Sequence, residues 1–338
     1  MIKGHLRPRH RVFLFALLFG LLALYALPAS AQTQLTPFRV GMSDTVNTVL
    51  PLWVAQAGGL FAASGLNVEL VNTGGGSRGA QELQEGRLDA MRVGLSSVVQ
   101  ANRAGGDLRL IASMSNVIRF TFFSGAGVRS ADDLKGGIVG VSSFGSESDT
   151  TVTLALERLR LTRNDITLKE YGGATRRLAA LMAGEIKATA INEPVASLAR
   201  EAGVNVMVDL VAQKIPWLFS GIVIRRSDLR DRPGVIERFL RAAIEGNYLA
   251  LTNETRAKEV LARELKLTDS KIIDISYNDF KLQAPRTLEP NIEAAMNVIA
   301  QIPGTGSRNV EDYMDPTLIA NLRQQGLFAI MERKYGTR

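Results

Sequence analysis

The sequence predicts an α/β protein of two lobes, with mostly parallel sheets and a helical C-terminal tail. Short apolar runs alternate with stretches of helical period from residue 38 to residue 208, an order typical of parallel strands joined by helices. Two further apolar, β-rich segments, 117–124 and 218–225, enclose one half of that alternation. After Arg232-Pro233-Gly234 the stretches all have helical period, which indicates the helical tail.

The predicted elements follow in chain order. Strands are predicted where a short apolar run is bounded by turn residues, at 38–42, 67–71, 90–94, 108–113, 137–141, 166–170, 187–192 and 205–208. Helices between them are predicted from a period near 3.6, at 50–63, 77–85, 96–104, 149–159, 175–183 and 194–202. The tail is predicted to hold helices at 236–251, 255–265, 269–280 and 289–301.

The segments 117–124 (VIRFTFFS) and 218–225 (LFSGIVIR) are predicted to be extended crossings that act as hinges between the lobes. The alternative is that both are internal strands of one long sheet. A single open sheet built from all the predicted strands would be unusually broad, so two lobes are favoured.

The first residues are predicted to be a secretory signal peptide, residues 1–31. Residues 1–11 are basic, residues 12–27 are apolar without a charge, and Pro28-Ala29-Ser30-Ala31 offers small residues for cleavage after Ala31. An uncleaved membrane anchor is the alternative, but 16 apolar residues fall short of the roughly 20 that span a bilayer. The mature protein is therefore expected to be periplasmic.

Composition excludes several kinds of chemistry. The chain has no cysteine, and its two histidines, His5 and His10, leave with the predicted signal peptide. Disulfides, thiolate or imidazole metal sites, cysteine nucleophiles and Ser-His-Asp triads are therefore excluded from the mature chain. Carboxylate pairs and lysine remain available for catalysis, so enzyme function is disfavoured but not forbidden. We expect no enzyme, no catalytic residue, no cofactor and no metal site.

The charge does not indicate a nucleic-acid partner. The formal net charge is +7, but residues 1–31 hold four basic and no acidic residues, so the remainder has 36 basic against 33 acidic ones. The mature chain is thus nearly neutral, and binding to nucleic acid is not expected.

The candidate ligand-binding residues lie where predicted strands end, because ligands of open parallel sheets sit beyond the carboxyl ends of the strands. Short hydroxyls and glycines there let backbone N–H groups approach a small polar ligand. Such residues also cap helices and form turns, so each one alone has a structural alternative. The candidates are Ser43, Asp44, Thr45, Gly75, Gly76, Ser77, Ser96, Ser97, Ser143, Gly145, Ser146, Asn192 and Glu193.

Charged and aromatic candidates lie near the predicted hinges. Arg119 is a candidate counter-charge for the ligand, and Trp217 and Ser220 are candidates to line the cleft. Arg92, inside an apolar strand, is instead expected to pair with Asp89 or another local acid.

Three acidic residues near the predicted cleft bear on the ligand. Glu147, Asp149 and Glu193 would repel a bare anion, so either they point away from the ligand or the ligand has donor groups as well as acceptors. We expect Glu193 to hold the donor end of that ligand.

A family resemblance rests on an ordered set of blocks. The blocks are FRVGMSD, LPLWVAQAGGLFAASGLNVELV, EGRLDAMRVGLSS, ADDLKGGIVGV, SFGSESDTTVTLALERL, LMAGEIKATAINEP and FSGIVIR. In this order they resemble the solute-binding components of nitrate, sulfonate and taurine ABC importers, a family that includes binders of thiamine precursors. The family more often has Asp before the proline where this chain has Glu193, a departure that puts nitrate and simple alkanesulfonates in doubt.

The resemblance implies a type II periplasmic binding fold, with residues 37–120 plus 222–338 as lobe one and residues 121–221 as lobe two. It implies a monomeric receptor that holds a small organic ligand (a sulfonate, carboxylate, zwitterion or heterocycle) in the cleft and delivers it to an ABC permease in the inner membrane. Two alternatives stay open: an enzyme on the same scaffold similar to a thiamine-pyrimidine synthase, and a periplasmic sensor or interaction protein. The synthase needs an active-site histidine and a cysteine-rich motif, which the mature chain lacks.

Overall fold

The computed structural model describes residue 1, residues 34–302, residue 304 and residues 307–337. The predicted signal peptide, beyond Met1, lies outside the described residues. The chain divides into two compact units, Met1–Leu35 and Thr36–Arg338, and the described strands and helices all belong to the second.

One five-stranded sheet has the order β2-β1-β3-β10-β4. Its strands are β1 (Thr36–Met42), β2 (Leu66–Asn72), β3 (Ala90–Val93), β4 (Leu108–Val117) and β10 (Pro216–Arg225). β1 runs parallel to β2 and β3, and Met42 at its end pairs with Asn72 and Arg92. The carboxyl ends of these three strands therefore lie at one edge of the sheet.

The other five-stranded sheet has the order β7-β6-β8-β5-β9. Its strands are β5 (Thr121–Ser124), β6 (Ile138–Val141), β7 (Thr167–Glu170), β8 (Ala188–Ile191) and β9 (Asn205–Asp209). β6 runs parallel to β7 and β8, which again gathers the loops after parallel strands at one edge.

Both sheets are mixed rather than mostly parallel. β10 runs antiparallel to β3 and β4, and β5 runs antiparallel to β8 and β9. The reason is that each is an extended strand that follows a crossing from the other sheet and not a helix. The α/β class with two sheets is as predicted.

The chain passes between the sheets twice. The segment 117–124 is split, because β4 ends at Val117 and β5 begins at Thr121, with residues 118–120 between them. The return crossing is residues 210–215. The predicted second crossing, residues 218–225, is wrong as a crossing: the segment is extended but lies wholly within β10 of the first sheet, where it pairs with β3 and β4. The two crossings lie side by side, since the backbone N–H of Ile118 donates to the carbonyl of Ile215 (3.1 Å).

The helices mostly match the sequence expectations. They are α1 (Leu50–Ala57), α2 (Leu60–Ala63), α3 (Gly76–Gln84), α4 (Leu95–Arg103), α5 (Glu147–Arg158), α6 (Ala174–Met182), α7 (Val195–Glu201), α8 (Arg226–Asp231), α9 (Pro233–Thr252), α10 (Glu254–Leu265), α11 (Ser270–Gln283), α12 (Ile292–Gln301), α13 (Thr317–Gln324) and α14 (Leu327–Tyr335). The predicted helix 50–63 is wrong as one unit: Gly58-Gly59 separates α1 from α2, and Gly59 has a φ of 68°, which ends a right-handed helix. α8, α13 and α14 were not predicted from the sequence.

Apolar packing joins both sheets to the helical tail. Phe38 of β1 stacks on Phe239 of α9 with ring centroids 4.6 Å apart, which fixes the tail against the first sheet. Phe120, in the first crossing, meets Phe219 of β10 edge to face at 4.9 Å. Across the part of the chain that is described, no helix combines the length and the apolarity needed to cross a membrane.

Candidate functional site

A cavity lies between the two sheets, at the carboxyl ends of their parallel strands. Its volume is about 40 Å³, room for a few water molecules. It is lined by Ser43, Asp44, Val46, Gly76, Arg92, Val93, Gly94, Phe120, Ser142, Ser146, Glu147, Ser148, Arg177, Asn192 and Phe219.

The two walls of the cavity are in direct contact at its edge. The backbone N–H of Ser77, in α3, donates to Oγ of Ser143 (3.3 Å), and Oγ of Ser77 donates to the carbonyl of Phe144 (2.7 Å). Gly75 makes the approach possible, because a Cβ at this position would lie 2.9 Å from Oγ of Ser143. The structure therefore shows a closed cleft.

Glu147 crosses the cavity from the start of α5. Its Oε1 accepts from the backbone N–H of Ser96 (2.7 Å) and its Oε2 accepts from Nε1 of Trp217 (2.8 Å). Burial raises the pKa of Glu147 to about 7, while these donors and the charge of Arg92 act in the opposite direction. Gly94 leaves the room this carboxyl needs, because a Cβ there would lie 2.2 Å from Glu147 Oε1.

Arg92 projects from β3 into the cavity wall and is 4% exposed. It donates through Nη1 to Oγ of Ser43 (3.1 Å) and through Nη2 to Oγ1 of Thr48. Burial lowers the pKa of Arg92 to about 10, and the charges of Asp44 and Glu147 oppose this change. The expected pairing with Asp89 is wrong, because Asp89 is 2.7 Å from Nη1 of Arg232 instead.

Arg177 projects from α6 on the opposite wall and is 1% exposed. Its Nη1 donates to the carbonyl of Gly172 and its Nη2 to that of Ala190 (3.1 Å). Burial lowers the pKa of Arg177 to about 10, opposed by the charge of Asp44. Within the described residues neither Arg92 nor Arg177 forms an ion pair, and Nε of each has no hydrogen-bond partner.

Asp44 links the first wall to the start of α6. Its Oδ2 accepts from the backbone N–H of Ala174 (2.7 Å), and its Oδ1 accepts from that of Thr45 (2.8 Å). Asp44 follows β1 and Ala174 begins a helix that follows β7, so this contact also spans the cleft.

The structure brings many of the predicted ligand residues to the cavity or its edge. On the cavity wall itself are Ser43, Asp44, Gly76, Ser146 and Asn192. Beside it, in contacts between or along the walls, are Gly75, Ser77, Ser96, Ser143 and Trp217. Ser97 and Gly145 line a groove next to the cavity, and Thr45 lines a second groove.

The other three predicted residues, Arg119, Glu193 and Ser220, are absent from the cavity wall and have other surroundings in the fold. Arg119 is buried and ion-paired with Asp279 of α11. Glu193 accepts from the backbone N–H of Ser197 (3.0 Å) and pairs with Arg200 (2.8 Å). Ser220 is fully buried within β10.

Arg177, Phe120 and Phe219 line the cavity but were not predicted from the sequence, and Arg92 was expected to have a structural role. The signal for Arg92 was available, since a guanidinium within an apolar strand requires a partner. Arg177 gave no such signal, because it follows an exposed arginine, Arg176, in the same helix, and only the packing shows that Arg177 is buried.

The comparisons with known proteins agree with this architecture. Residues 47–257 match the family model described as NMT1/THI5 like. The chain belongs to the NMT1/THI5-like family. This match covers well over half of the chain and confirms the resemblance that the sequence blocks indicate.

Three individual proteins that are similar to this chain have low sequence identity with it. The riboflavin-binding protein RibY of Chloroflexus aurantiacus is 28% identical over 242 residues, which are 69% of this chain and 68% of that protein. The periplasmic aliphatic sulphonate-binding protein SsuA of Escherichia coli has a TM-score of 0.62 at 20% identity, over 86% of this chain and 88% of its own. DszB, solved as a mutant in complex with biphenyl-2-sulfinic acid, also has a TM-score of 0.62, at 17% identity over 86% of this chain and 99% of its own. At these identities the structural matches show a shared fold.

Proposed function

We propose that the protein is the periplasmic receptor of an ABC importer, which captures a small organic ligand between its lobes and delivers it to a permease in the inner membrane. One observation carries this proposal: two buried guanidinium groups, Arg92 and Arg177, face a cavity between the sheets with an unpartnered Nε each. A buried charge without an ionic partner is costly, and a bound ligand would supply that partner. The fold shared with SsuA supports the assignment.

The division into lobes gives the cleft its function. We propose lobes close to those that the sequence indicates, residues 37–120 plus 222–338 and residues 121–221, but with the second boundary at the crossing 210–215, because residues 216–221 belong to β10 of the first sheet. A cavity of about 40 Å³ is too small to admit an organic ligand, so the lobes must separate for ligand to enter.

A thermal-shift screen of the mature protein tests ligand capture. The panel contains sulfonates, aromatic carboxylates, amino acids, pyrimidines and, because of the resemblance to RibY, riboflavin. A compound that binds only the folded state must raise the unfolding midpoint in a saturable way. Arg92→Gln serves as the matched variant and should lose the shift. No saturable shift with any class would contradict the proposal.

Delivery to a permease separates transport from sensing. A permease and an ATPase encoded by genes next to the gene of this protein, reconstituted together in vesicles, should hydrolyse ATP faster when the ligand-loaded receptor is added. A sensor or interaction protein would bind the ligand but leave the ATPase rate unchanged.

An enzyme on the same scaffold is the second candidate, since DszB shares the fold. This chain has no cysteine, and both histidines lie within the first ten residues. Cysteine-dependent catalysis is therefore excluded, no histidine is among the described residues that line the cavity, and binding is the function that those residues support best.

A further inference from the structure

The start of α6 is an anion site that the protein fills with its own carboxylate. Oδ2 of Asp44 accepts from the backbone N–H of Ala174 (2.7 Å), the first residue of this helix. Gly173 admits the carboxylate, because a Cβ there would lie 2.8 Å from Oδ1 of Asp44. The partial positive charge and free N–H groups of a helix N-terminus favour an anion at this place.

Two buried cations line the same cavity as Asp44, on its opposite walls. Asp44 is the foremost charge acting on both Arg92 and Arg177, and it hydrogen-bonds to neither. Nε of each guanidinium is buried and has no hydrogen-bond partner. Asp44 and the partly ionised Glu147 are the carboxyl groups that line the cavity with these two guanidinium groups and the helix terminus, so the positive charge is in excess.

The acidic residues that would repel an anion are largely neutralised elsewhere. Asp149 is paired with Arg163 (2.5 Å) and Glu193 with Arg200 (2.8 Å). Glu147 lines the cavity, but burial raises its pKa to about 7, so only part of it is ionised near neutral pH. For Asp149 and Glu193 the geometry therefore matches the expectation that the acidic residues point away from the ligand.

We propose that Asp44 is a resident competitor: its carboxylate occupies an anion subsite formed by the Ala174 N–H, Arg92 and Arg177, and the acidic group of the ligand displaces it. The inference rests on the proposed receptor function and names its ligand class. That class is a small organic molecule with one carboxylate or sulfonate. Rotation of the Asp44 side chain frees the Ala174 N–H for the incoming anion.

The test uses formate, the fragment that Asp44→Ala removes. Sodium formate is titrated into the parent and the variant at constant ionic strength, with sodium chloride as the balancing salt, and binding is followed by calorimetry. Formate should bind Asp44→Ala at least about tenfold more tightly than the parent, because the parent must first give up a hydrogen bond to a charged acceptor. Equal or weaker binding by the variant overturns the proposal.

Two controls locate the effect. Glu193→Gln removes another carboxylate that accepts a backbone N–H near a helix start, but outside the cavity wall, and should bind formate no better than the parent. A gain there would overturn the proposal, since any lost negative charge would then suffice. In the Asp44→Ala background, Arg177→Gln should abolish the gain; Arg92→Gln replaces it if that variant does not fold. Retained binding would place the anion elsewhere and overturn the proposal.

Failure of this inference differs from failure of the receptor assignment. If a neutral or cationic compound stabilises the parent and Asp44→Ala binds formate no better than the parent, the receptor proposal stands and the proposed role of Asp44 is refuted. Formate bound by Asp44→Ala, with no compound that stabilises the parent, supports the subsite and contradicts the receptor.

Discussion

At the scale of single residues, Glu147 is a buried carboxyl group whose pKa the fold raises into the neutral range. Its carboxyl receives the Ser96 N–H and the Trp217 indole N–H from the opposite wall. Burial raises its pKa from 4.5 to about 7. The folded protein therefore holds a proton on Glu147 that the unfolded chain has released between about pH 4.5 and 7. The free energy of unfolding must fall as pH rises through this window.

Glu147→Gln should remove this pH dependence. Relative to the variant, the free energy of unfolding of the parent should fall by up to about 3 kcal/mol from pH 4.5 to 7, since one pKa unit corresponds to about 1.4 kcal/mol. Urea unfolding of both proteins across this range measures the difference, in which other titrating groups cancel. Parallel stability curves would show that Glu147 titrates normally.

The candidate site was predictable where it depends on strand ends and not where it depends on burial. Ser43, Asp44 and Asn192 follow predicted strands, and the shared edge of parallel strands brings them to one cavity. Glu193 has the same position in the sequence but turns to Arg200, a partner seven positions along that the strand-end rule does not consider. Arg177 enters the cavity only through the packing of α6, which no local pattern records.

At the scale of elements, the strands were predictable because each is a short apolar run. The predicted β1 and β9 differ from the structure by one or two residues at an end. The direction of the strands could not be predicted in the same way. β5 and β10 are antiparallel to their neighbours because crossings between the sheets lead into them, and such crossings depend on tertiary structure and not on a local pattern. The break between α1 and α2 has a local cause, Gly58-Gly59, that an apolar period of 3.6 conceals.

The packing of α9 on α1 depends on a glycine in the middle of a helix. A Cβ at Gly246 would lie 2.4 Å from the carbonyl oxygen of Pro51 and 2.7 Å from Cβ of Ala55. Backbone atoms of a packed helix cannot move aside at little cost. The absence of a side chain therefore lets these helices approach closely, which outweighs the low helix propensity of glycine.

Gly246→Ala should thus destabilise the protein by about 1 to 3 kcal/mol, the usual cost of overpacking, although alanine favours helix by about 1 kcal/mol. Gly234→Ala, in the first turn of the same helix, is the matched control, because its nearest contact is Nη1 of Arg238 at 3.9 Å. The control should be neutral or mildly stabilising. Urea unfolding midpoints compare the three proteins, and equal stability of both variants would refute the role of Gly246.

At the scale of the whole molecule, the exported protein should begin at Gln32. Small residues at Ala29 and Ala31 directly follow the apolar run, as cleavage by a signal peptidase requires. Intact-mass measurement of the protein recovered from the periplasm gives the N-terminus directly. Retention of residues 1–31 in that protein would contradict both the cleavage and the proposed location.

Access of a ligand to the cavity depends on how the two sheets are joined. The walls touch through Ser77 and Ser143 and through Glu147 and Ser96, so the described structure is closed around a space of about 40 Å³. Two short crossings, 118–120 and 210–215, connect the sheets. They lie side by side, joined by the hydrogen bond from the Ile118 N–H to the carbonyl of Ile215. Small changes of backbone dihedrals in both crossings would separate the walls without breaking a helix or either sheet.

Ligand binding should therefore lower the radius of gyration. The few hydrogen bonds between the walls are each worth about 1 kcal/mol net, so the empty protein is expected to open readily, whereas a ligand held by both walls adds contacts only to the closed form. Small-angle scattering of the mature protein, with and without a saturating compound from the screen, measures the change. The scattering curve calculated from the closed structure should fit the bound protein better than the empty one. An unchanged radius would show that the sheets form one rigid body and that ligand enters without opening of the cleft.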